Sequence, residues 1–304
     1  MPHPLQSILM QGKAALESAL SLDSGTARIE VQMLLQQVLG VSRAYLLAHP
    51  EQILDEAQTA TYHALLQRRL AGEPLAYLLG EREFFGLTFK VTPATLIPRP
   101  DTELLVELAL QRIPQRGRVL DLGTGSGAIA LSIAHARPDA EVTAVDASQE
   151  ALDVARENAR RLLVQHEPAH ISTGSMRTDS CEVAVITNVR LLRSDWFSAL
   201  AAERFDLIVS NPPYIADGDA HLAQGDLRFE PRDALASGAD GLDDIRRIVA
   251  DAKEHLNAGG WLLFEHGYDQ AERARELLDA AGYAEVFSAR DLAGIERVSG
   301  GAIF

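Results

Sequence analysis

The residues with the clearest chemical potential are Asn211-Pro212-Pro213-Tyr214, which follow the apolar run Phe205–Ser210. That run predicts a buried strand, with Asn211 held at its carboxyl end. Because each proline fixes its own φ and lacks an N–H, the turn should be rigid and leave backbone carbonyls unpaired. Asn211 Oδ1 and the Pro212 carbonyl could accept the two hydrogens of a planar NH2 group, with Tyr214 packed on its face. A lone motif of this kind is more often a tight surface turn.

A second motif is a glycine-rich loop, whose candidate ligand-binding residues are Asp121, Gly123, Thr124, Gly125, Ser126 and Gly127. Glycines let a ligand approach the backbone, and the N–H groups of the following helix can bind an anion. With Ala128 in the third position, the loop also fits a dinucleotide fingerprint. A carboxylate at position 121 would repel the pyrophosphate of NAD and suits the ammonium of an amino-acid-like cofactor. Asp146, which ends the next predicted strand, suits ribose hydroxyls of either nucleotide.

The two motifs together predict a donor facing an acceptor. A cofactor with a positive α-amino group, a carboxylate, a ribose and an adenine is S-adenosylmethionine. Loop and turn resemble the class I methyltransferases that alkylate a planar nitrogen, either the exocyclic amine of a base or the amide of glutamine. Such a nitrogen is a weak nucleophile, so accepting its N–H bonds and orienting it at the methyl group lowers the barrier without a strong base. No Asp, Glu or His is predicted as a nucleophile.

Composition restricts the class of protein. A length of 304 residues suggests one large and one small domain. The single cysteine, Cys181, excludes an internal disulfide framework, and the isolated His166 and His170 predict no metal site. We expect a cytoplasmic protein, because no secretory signal pattern and no run of about 20 apolar residues is visible.

Charge restricts the partners. The formal net charge of −15 opposes a phosphate backbone, so we expect no direct nucleic-acid binding and find a basic protein partner easier to reconcile with the sequence. No membrane association is expected. We expect a monomer, although the sequence does not determine the oligomeric state.

Three segments are predicted along the chain. Residues 1–80 show helical periodicity throughout, with a cap at Asp23 or Ser24 and stops at Gly40 and Gly72. Residues 81–99 alternate with period two, which predicts a connecting β-hairpin. Residues 100–304 form the predicted catalytic domain, with an insertion at about 164–188 that is rich in turn-forming residues.

The catalytic segment alternates strands with helices, which predicts a parallel sheet covered by helices on both faces. The predicted strands are 118–122, 141–145, 205–210, 261–265, 284–288 and 296–304. The predicted helices are 128–136, 149–163, 242–256 and 269–281. The fold class is therefore α/β, a Rossmann-like class I methyltransferase sheet with an N-terminal helical bundle.

Several motifs in this order resemble the HemK/PrmC family, the bacterial peptide chain release factor glutamine N5-methyltransferases. The resemblance covers nearly the whole chain. The motifs that carry it are Leu96-Ile97-Pro98-Arg99-Pro100-Asp101-Thr102-Glu103, the loop 121–127, Ser194-Asp195-Trp196-Phe197, the turn 211–214, Arg228-Phe229-Glu230-Pro231 and Glu265-His266-Gly267.

The resemblance implies S-adenosylmethionine as donor, S-adenosylhomocysteine as product, and the glutamine of the Gly-Gly-Gln loop of class 1 release factors as acceptor. The loop 123–127 would line the methionine part of the cofactor, Asp146 would hold the ribose and Trp196 would pack near the adenine. Asn211 and the Pro212 carbonyl would hold the glutamine amide. The helical domain would dock the release factor. Arg99 would lie near the site without an assigned role, and the resemblance does not decide whether Glu230 and Glu265 do more than brace loops through hydrogen bonds.

One departure from the family pattern concerns the third strand. The insertion is longer than the family usually has, which puts the Trp196 assignment at most risk. Because Ser194-Asp195-Trp196-Phe197 is intact and expected in that strand, we predict an outward loop with the sheet register kept.

Other functions remain open. The nearest alternative is the sister enzyme that methylates a ribosomal protein on glutamine, although the segment 98–103 looks more like the release-factor branch. A DNA or RNA adenine N6-methyltransferase would need a basic surface and base flipping. A non-catalytic interaction protein would leave the complete set of site residues unexplained, and an NAD enzyme would leave Asp121 and the turn 211–214 unexplained.

Overall fold

Residues 4–163 and 188–304 are described by the computed structural model. Their contacts divide the chain into two units, which are Met1–Arg82 with Ala223–Phe229, and Glu83–Leu222 with Glu230–Phe304. Of the predicted insertion, only Asn188 lies within the described residues. Across the described ranges, no helix is both long and apolar enough to cross a membrane.

The first unit contains the helices predicted from the amino-terminal periodicity. The helices are α1 (Leu5–Leu20), α2 (Ser24–Leu39), α3 (Arg43–Ala48), α4 (Glu56–Leu70) and α5 (Leu75–Leu79). The predicted cap of α2 is confirmed, because the Asp23 side chain accepts hydrogen bonds from the N–H groups of Gly25 and Thr26. Gly40 ends the helix with a left-handed φ of 65°.

Apolar side chains that repeat with helical spacing form the core of this unit, including Leu16, Leu35 and Tyr62. A buried ion pair joins α4 to α2, with Arg69 Nε 2.7 Å from one carboxylate oxygen of Glu30 and Nη2 3.0 Å from the other. Such a two-point contact fixes the register of the two helices.

The segment Ala223–Phe229 belongs to the same unit. Arg228 Nη2 donates to the carbonyl of Ala71 at 2.9 Å. A methyl group at Gly72 would lie 1.7 Å from that Nη2 atom, and Gly72 has a φ of +92°. The glycine that was predicted as a helix stop therefore also leaves space for an arginine.

The predicted hairpin is confirmed as β1 (Glu81–Phe84) and β2 (Leu87–Lys90), which form a two-stranded sheet. Pro100 opens a short 3-10 turn, Pro100–Thr102, which leads into α6 (Glu103–Leu110). Proline suits this position because the first N–H groups of a helix have no partner within it.

The second unit is built on a mainly parallel sheet, as predicted. In chain order its elements are β3 (Arg118–Leu122), α7 (Ala128–Ala136), β4 (Glu141–Asp146), α8 (Gln149–Leu163), β5 (Val189–Arg193), β6 (Phe205–Ser210), α9 (Asp243–Asp251), β7 (Leu256–Glu265), α10 (Ala271–Ala280), β8 (Ala284–Arg290) and β9 (Glu296–Ala302). The strands lie in the order β5-β4-β3-β6-β7-β9-β8. β9 runs antiparallel to both of its neighbours.

Apolar residues at successive strand positions explain the two buried layers, because their side chains point alternately to the two faces of the sheet. Val119 and Val209 face the helices α6 and α7, whereas Leu120 and Ile208 face α9 and α10. Successive strand residues point to opposite faces, so a strand buried on both sides is apolar at nearly every position.

Three boundaries differ clearly from the prediction, and others differ by one or two residues. Ser194–Phe197 does not lie in the third strand, because β5 ends at Arg193 and a turn follows. β7 begins at Leu256 and not at residue 261. The register of its pairing with β6 shifts between Phe205 and Leu207, and this irregularity interrupts the period-two pattern from which a strand is predicted. The helix predicted to reach residue 256 ends at Asp251 and continues only as a 3-10 turn.

Candidate active site

The site lies where the strand order reverses. From β3 the chain adds β4 and β5 on one side, and then returns to add β6 on the other side of β3. The segments after β3 and β6 therefore emerge side by side, as expected at such a switch point in a parallel sheet. Leu122 pairs with Ser210, and the Ser210 hydroxyl donates to the Leu122 carbonyl at 2.9 Å. The glycine loop and Asn211 follow directly.

A cavity of about 710 Å³ opens at this edge of the sheet. A volume of this size is in the range of small-molecule sites. It is lined by eight of the residues predicted from sequence, which are Gly123, Thr124, Gly125, Ser126, Asp146, Trp196, Asn211 and Pro213. The other four, Asp121, Gly127, Pro212 and Tyr214, lie outside the cavity lining.

Asp121 lies beneath the glycine loop and is fully buried. Its Oδ2 accepts hydrogen bonds from the Thr124 hydroxyl at 2.6 Å and from the Ala130 N–H at 3.2 Å. Oδ1 is buried and has no hydrogen-bond partner among the described residues. Burial raises the pKa of the carboxyl to about 7, although the bonds from Thr124 and Ala130 oppose the rise. Asp121 thus braces the loop and keeps one buried oxygen without a hydrogen-bond partner.

Two glycines explain how tightly the loop packs. Gly123 has a φ of +71°, and a methyl group there would lie 3.4 Å from Cζ3 of Trp196. Gly127 has a φ of +85°, and its methyl group would lie 2.9 Å from a methyl of Leu131. Gly123 therefore leaves room for the indole, and Gly127 lets the loop close onto α7.

Asp146 stands at the carboxyl end of β4 and lines the cavity, where the sequence predicted it. Its Oδ2 accepts from the Gly125 N–H and its Oδ1 from the Ser148 N–H, both at 2.8 Å. Burial raises the pKa of Asp146, and these backbone donors oppose the rise. The carboxylate is held in one orientation at the cavity wall.

Trp196 reaches the cavity from the turn after β5, despite the strand boundary that was predicted wrongly. Its φ is +47°, an unusual conformation for an aromatic residue. The indole Nε1 donates to Asp244 at 3.2 Å, and Asp244 also accepts from the Ser237 hydroxyl at 2.7 Å. Asp244 was missed in the sequence because it lies on another element and belongs to no motif.

Asn158 of α8 was also missed. Its Nδ2 donates to the carbonyls of Ser126 at 2.8 Å and Lys90 at 2.9 Å, and its Oδ1 accepts from the Lys90 N–H at 2.7 Å. The side chain is fully buried. It joins the glycine loop to β2.

The turn after β6 is held through its polar groups. Asn211 Nδ2 donates to the Thr102 hydroxyl at 3.2 Å, and the Tyr214 hydroxyl donates to Glu265 at 3.2 Å. Gln270 Nε2 donates to the Tyr214 carbonyl at 3.0 Å. Burial, together with the nearby Glu265, raises the pKa of the Tyr214 hydroxyl, so it stays protonated.

Arg99 lines the cavity and forms an ion pair with Glu230, which is buried. The second carboxylate oxygen of Glu230 accepts from the Ile97 N–H at 3.0 Å. Glu230 thereby fixes the segment that carries Arg99. The predicted proximity of Arg99 to the other site residues is confirmed, since Asn211 lines the same cavity.

The arrangement fits the predicted cofactor. The unpartnered Oδ1 of Asp121 could meet an ammonium group, and the indole of Trp196 in the cavity wall offers a surface for a flat, apolar group. Within residues 4–163 and 188–304, no group of three or more His, Cys, Asp or Glu side chains has the geometry of a metal site. The chemistry offered is therefore orientation of a ligand by hydrogen bonds and an aromatic wall.

Comparison with known proteins adds two family matches. Residues 7–80 match the PrmC N-terminal domain, and residues 100–238 match the methyltransferase small domain. The chain is 55% identical to a release factor glutamine methyltransferase of Bordetella pertussis, over 93% of this chain and 97% of that protein. It is 45% identical to the Escherichia coli protein of the same name, over 92% and 94% of the two chains.

A solved structure supports the fold. The crystal structure of a methyltransferase from Pyrococcus furiosus has a TM-score of 0.50, covers 78% of this chain and 95% of its own, and is 21% identical. At that identity, the likeness indicates a shared sheet architecture.

Proposed function

Since this chain belongs to the release factor glutamine methyltransferase family, we propose that it methylates a peptide chain release factor on a glutamine side chain. The donor is S-adenosylmethionine, and the acceptor is the N5 nitrogen of the glutamine in the Gly-Gly-Gln motif of class 1 release factors. The single observation that carries the proposal is that β3 and β6 pair side by side in the sheet. There the glycine loop and Asn211 line one cavity.

The donor site is formed by the loop, Asp146 and Trp196. The bound cofactor supplies a methyl group on a positively charged sulfur. Asp121 Oδ1 would receive its ammonium, the loop 123–127 would receive the rest of the methionine part, and Asp146 would orient the ribose. Trp196 would pack against the adenine, with the direction of its ring set by Asp244.

The acceptor site is formed by Asn211 and the residues after it. Asn211 Oδ1 and the Pro212 carbonyl accept the two N–H bonds of the glutamine amide, while Tyr214 limits its movement. A new N–C bond forms as the methyl group leaves the sulfur, and the nitrogen then loses one proton to water. Correct orientation replaces a strong base here, because an amide nitrogen is a weak nucleophile whose lone pair must be aligned with the methyl group.

The partner is a folded release factor, and we propose that the helical segment 1–80 docks it. The net charge of −15 favours a basic protein surface as the partner. The product is S-adenosylhomocysteine. Because release factors act in translation termination, the reaction belongs to the cytoplasm, and we propose that the enzyme works as a monomer.

The alternative acceptor with the same chemistry is a glutamine of a ribosomal protein. The experiment compares candidate acceptors, using S-adenosylmethionine labelled in its methyl group. Purified enzyme receives release factor, ribosomal proteins and RNA in separate reactions. Label on the release factor alone supports the proposal. Label on ribosomal protein or RNA, with none on the release factor, contradicts it.

A further inference from the structure

Gln270 directly precedes α10, in the segment that follows β7, and it lies outside the cavity lining. The residue is 6% exposed, so its side-chain amide is largely shielded from water. Nε2 donates to the Tyr214 carbonyl at 3.0 Å and to the Gly241 carbonyl at 3.4 Å, and Oε1 accepts from the Gly267 N–H at 2.8 Å. Each end of the buried amide thus has a partner, as such a group requires.

The orientation of this amide follows from its neighbours. The Gly267 N–H can only donate, and the Tyr214 carbonyl can only accept. Oε1 must therefore face Gly267, and Nε2 must face Tyr214. A rotated amide would place two donors together at one end and two acceptors together at the other. The Gly267 N–H consequently keeps the NH2 group of Gln270 on the Tyr214 carbonyl.

The Tyr214 carbonyl has little room to move. Gly241 has a φ of +75°, and a methyl group there would lie 2.2 Å from the Tyr214 carbonyl oxygen and 2.9 Å from Gln270 Nε2. The Tyr214 N–H donates to the Leu235 carbonyl at 3.2 Å, and the Tyr214 hydroxyl donates to Glu265 Oε1 at 3.2 Å. Tyr214 is therefore held at its N–H, its carbonyl and its hydroxyl.

The two prolines of the turn carry this restraint back to the acceptor groups. Pro212 and Pro213 each have a fixed φ, and a residue before proline is itself restricted, so the backbone between Asn211 and Tyr214 has few free torsions. A displacement of the Tyr214 carbonyl is therefore passed to the Pro212 carbonyl and to Asn211. Those are the two groups that would accept the N–H bonds of the substrate amide.

We propose that Gln270 is a positioning residue that, through the Tyr214 carbonyl, fixes the acceptor groups of the turn 211–214 against the substrate's NH2 group. The proposal deepens the function proposed above and rests on it. Asn211 and Pro212 contact the substrate, whereas Gln270 acts through Tyr214.

The first test replaces Gln270 with methionine, which keeps the length of glutamine and removes both hydrogen-bonding ends. A misplaced acceptor turn should slow the chemical step more than it weakens binding, because the substrate amide is aligned less well with the methyl group. We expect kcat for the release factor to fall about 10-fold, with KM and cofactor affinity within about 3-fold of wild type.

The matched control for this variant is Asn188→Leu, which also replaces an amide by an apolar side chain of similar shape. Asn188 Nδ2 donates to the Ala134 carbonyl at 3.2 Å, and the residue lies outside the cavity lining. Its kcat should stay within about 2-fold of wild type, even where the lost hydrogen bond lowers stability.

The second test moves the same carbonyl without replacing Gln270. Gly241→Ala places a methyl group against the Tyr214 carbonyl, whereas Gly259 has a φ of +78° and a methyl group there meets nothing within 4 Å. Both alanines adopt a left-handed backbone, so that strain alone would affect the two variants alike. We expect kcat to fall about 10-fold in Gly241→Ala and to stay within about 2-fold of wild type in Gly259→Ala.

The two tests converge in one double variant. Because Gln270 and Gly241 both act on the Tyr214 carbonyl, their losses should not multiply. Gln270→Met/Gly241→Ala should therefore lose no more kcat than about the worse single variant.

A second readout does not depend on turnover. The side-chain NH2 signals of Asn211 can be assigned in a nitrogen–proton NMR spectrum by their loss in Asn211→Ala. They should shift in Gln270→Met and in Gly241→Ala, and stay in place in the two control variants. If Gln270→Met does not fold, Gly241→Ala against Gly259→Ala still decides the matter.

Unchanged kcat in Gln270→Met, a rise in KM without a fall in kcat, equal losses in Gly241→Ala and Gly259→Ala, or unmoved Asn211 signals would overturn the proposal. A wild-type enzyme that leaves the release factor unmethylated would instead contradict the proposed function, and the NMR comparison would still test whether Gln270 positions Asn211.

Discussion

Asn158 Nδ2 lies 2.8 Å from the carbonyl oxygen of Ser126. A side chain in the middle of α8 therefore holds the middle of the glycine loop. The same amide holds both backbone groups of Lys90, which fixes the loop relative to β2. The shape of the cofactor site thus depends on a residue that does not line it.

Replacing Asn158 with alanine should loosen the loop. The backbone groups of Lys90 and Ser126 would lose their partner in a buried setting, at a cost on the order of 2–4 kcal/mol in the free energy of unfolding. We expect cofactor affinity to fall about 10-fold by calorimetry. Asn188→Ala is the matched control, since Asn188 bonds the Ala134 carbonyl near the far end of α7. Equal losses of cofactor affinity in both variants would argue against a special role for Asn158.

Replacing Gly123 with alanine tests the contact with Trp196. The left-handed backbone costs about 1–2 kcal/mol for a residue with a side chain. Gly86 has a similar φ of +73°, and a methyl group there meets nothing within 4 Å. We expect Gly123→Ala and Gly86→Ala to lose similar stability in chemical denaturation, and only Gly123→Ala to lose cofactor affinity. Unchanged affinity in Gly123→Ala would show that the close packing of Trp196 on Gly123 does not matter for cofactor binding.

Asp121 predicts a pH effect on stability. Its pKa is about 7 in the folded protein, well above the ordinary value of 3.8. The stabilising contribution of the protonated form is complete below about pH 4 and is lost as the pH rises to about 7. Asp121→Asn should remove this loss, so the unfolding free energy of wild type relative to the variant should fall by on the order of 3 kcal/mol across that range. A difference that stays constant with pH would mean that Asp121 is already charged in the folded protein.

Replacing Asn211 with alanine removes the predicted acceptor for the substrate amide. We expect turnover to fall about 100-fold or more, while cofactor affinity stays within about 3-fold of wild type. Steady-state kinetics and calorimetry separate the two effects. If cofactor binding were lost together with turnover, Asn211 would belong to the cofactor site.

Local signals in the sequence were sufficient for much of the fold. The predicted bounds of β3, α7, α8 and β6 agree with the structure, because each element shows clear hydrophobic periodicity or an apolar run between turn-forming residues. The end of β5 was harder to predict from the sequence, because the turn at Trp196 requires a left-handed backbone at an aromatic residue. Sequence propensity does not predict such a conformation.

The site was predictable only where residues belong to compact motifs. The residue types and spacing of the loop 121–127 and the turn 211–214 were enough to identify both as candidate sites, and the structure places both at one sheet edge. Asn158 was not predictable, because its contact with Lys90 spans 68 residues of sequence. Glu265 was visible within a motif, yet its contact with Tyr214 depends on the order in which β6 and β7 pair.

The central claim is that this chain methylates one glutamine of a release factor. The most direct measurement is peptide mass spectrometry of a folded class 1 release factor after incubation with the enzyme and S-adenosylmethionine carrying a deuterated methyl group. We expect one labelled methyl group on the glutamine of the Gly-Gly-Gln motif, and a greatly reduced amount with Asn211→Ala. An unlabelled glutamine, or label on another residue of the release factor, would contradict the proposed function.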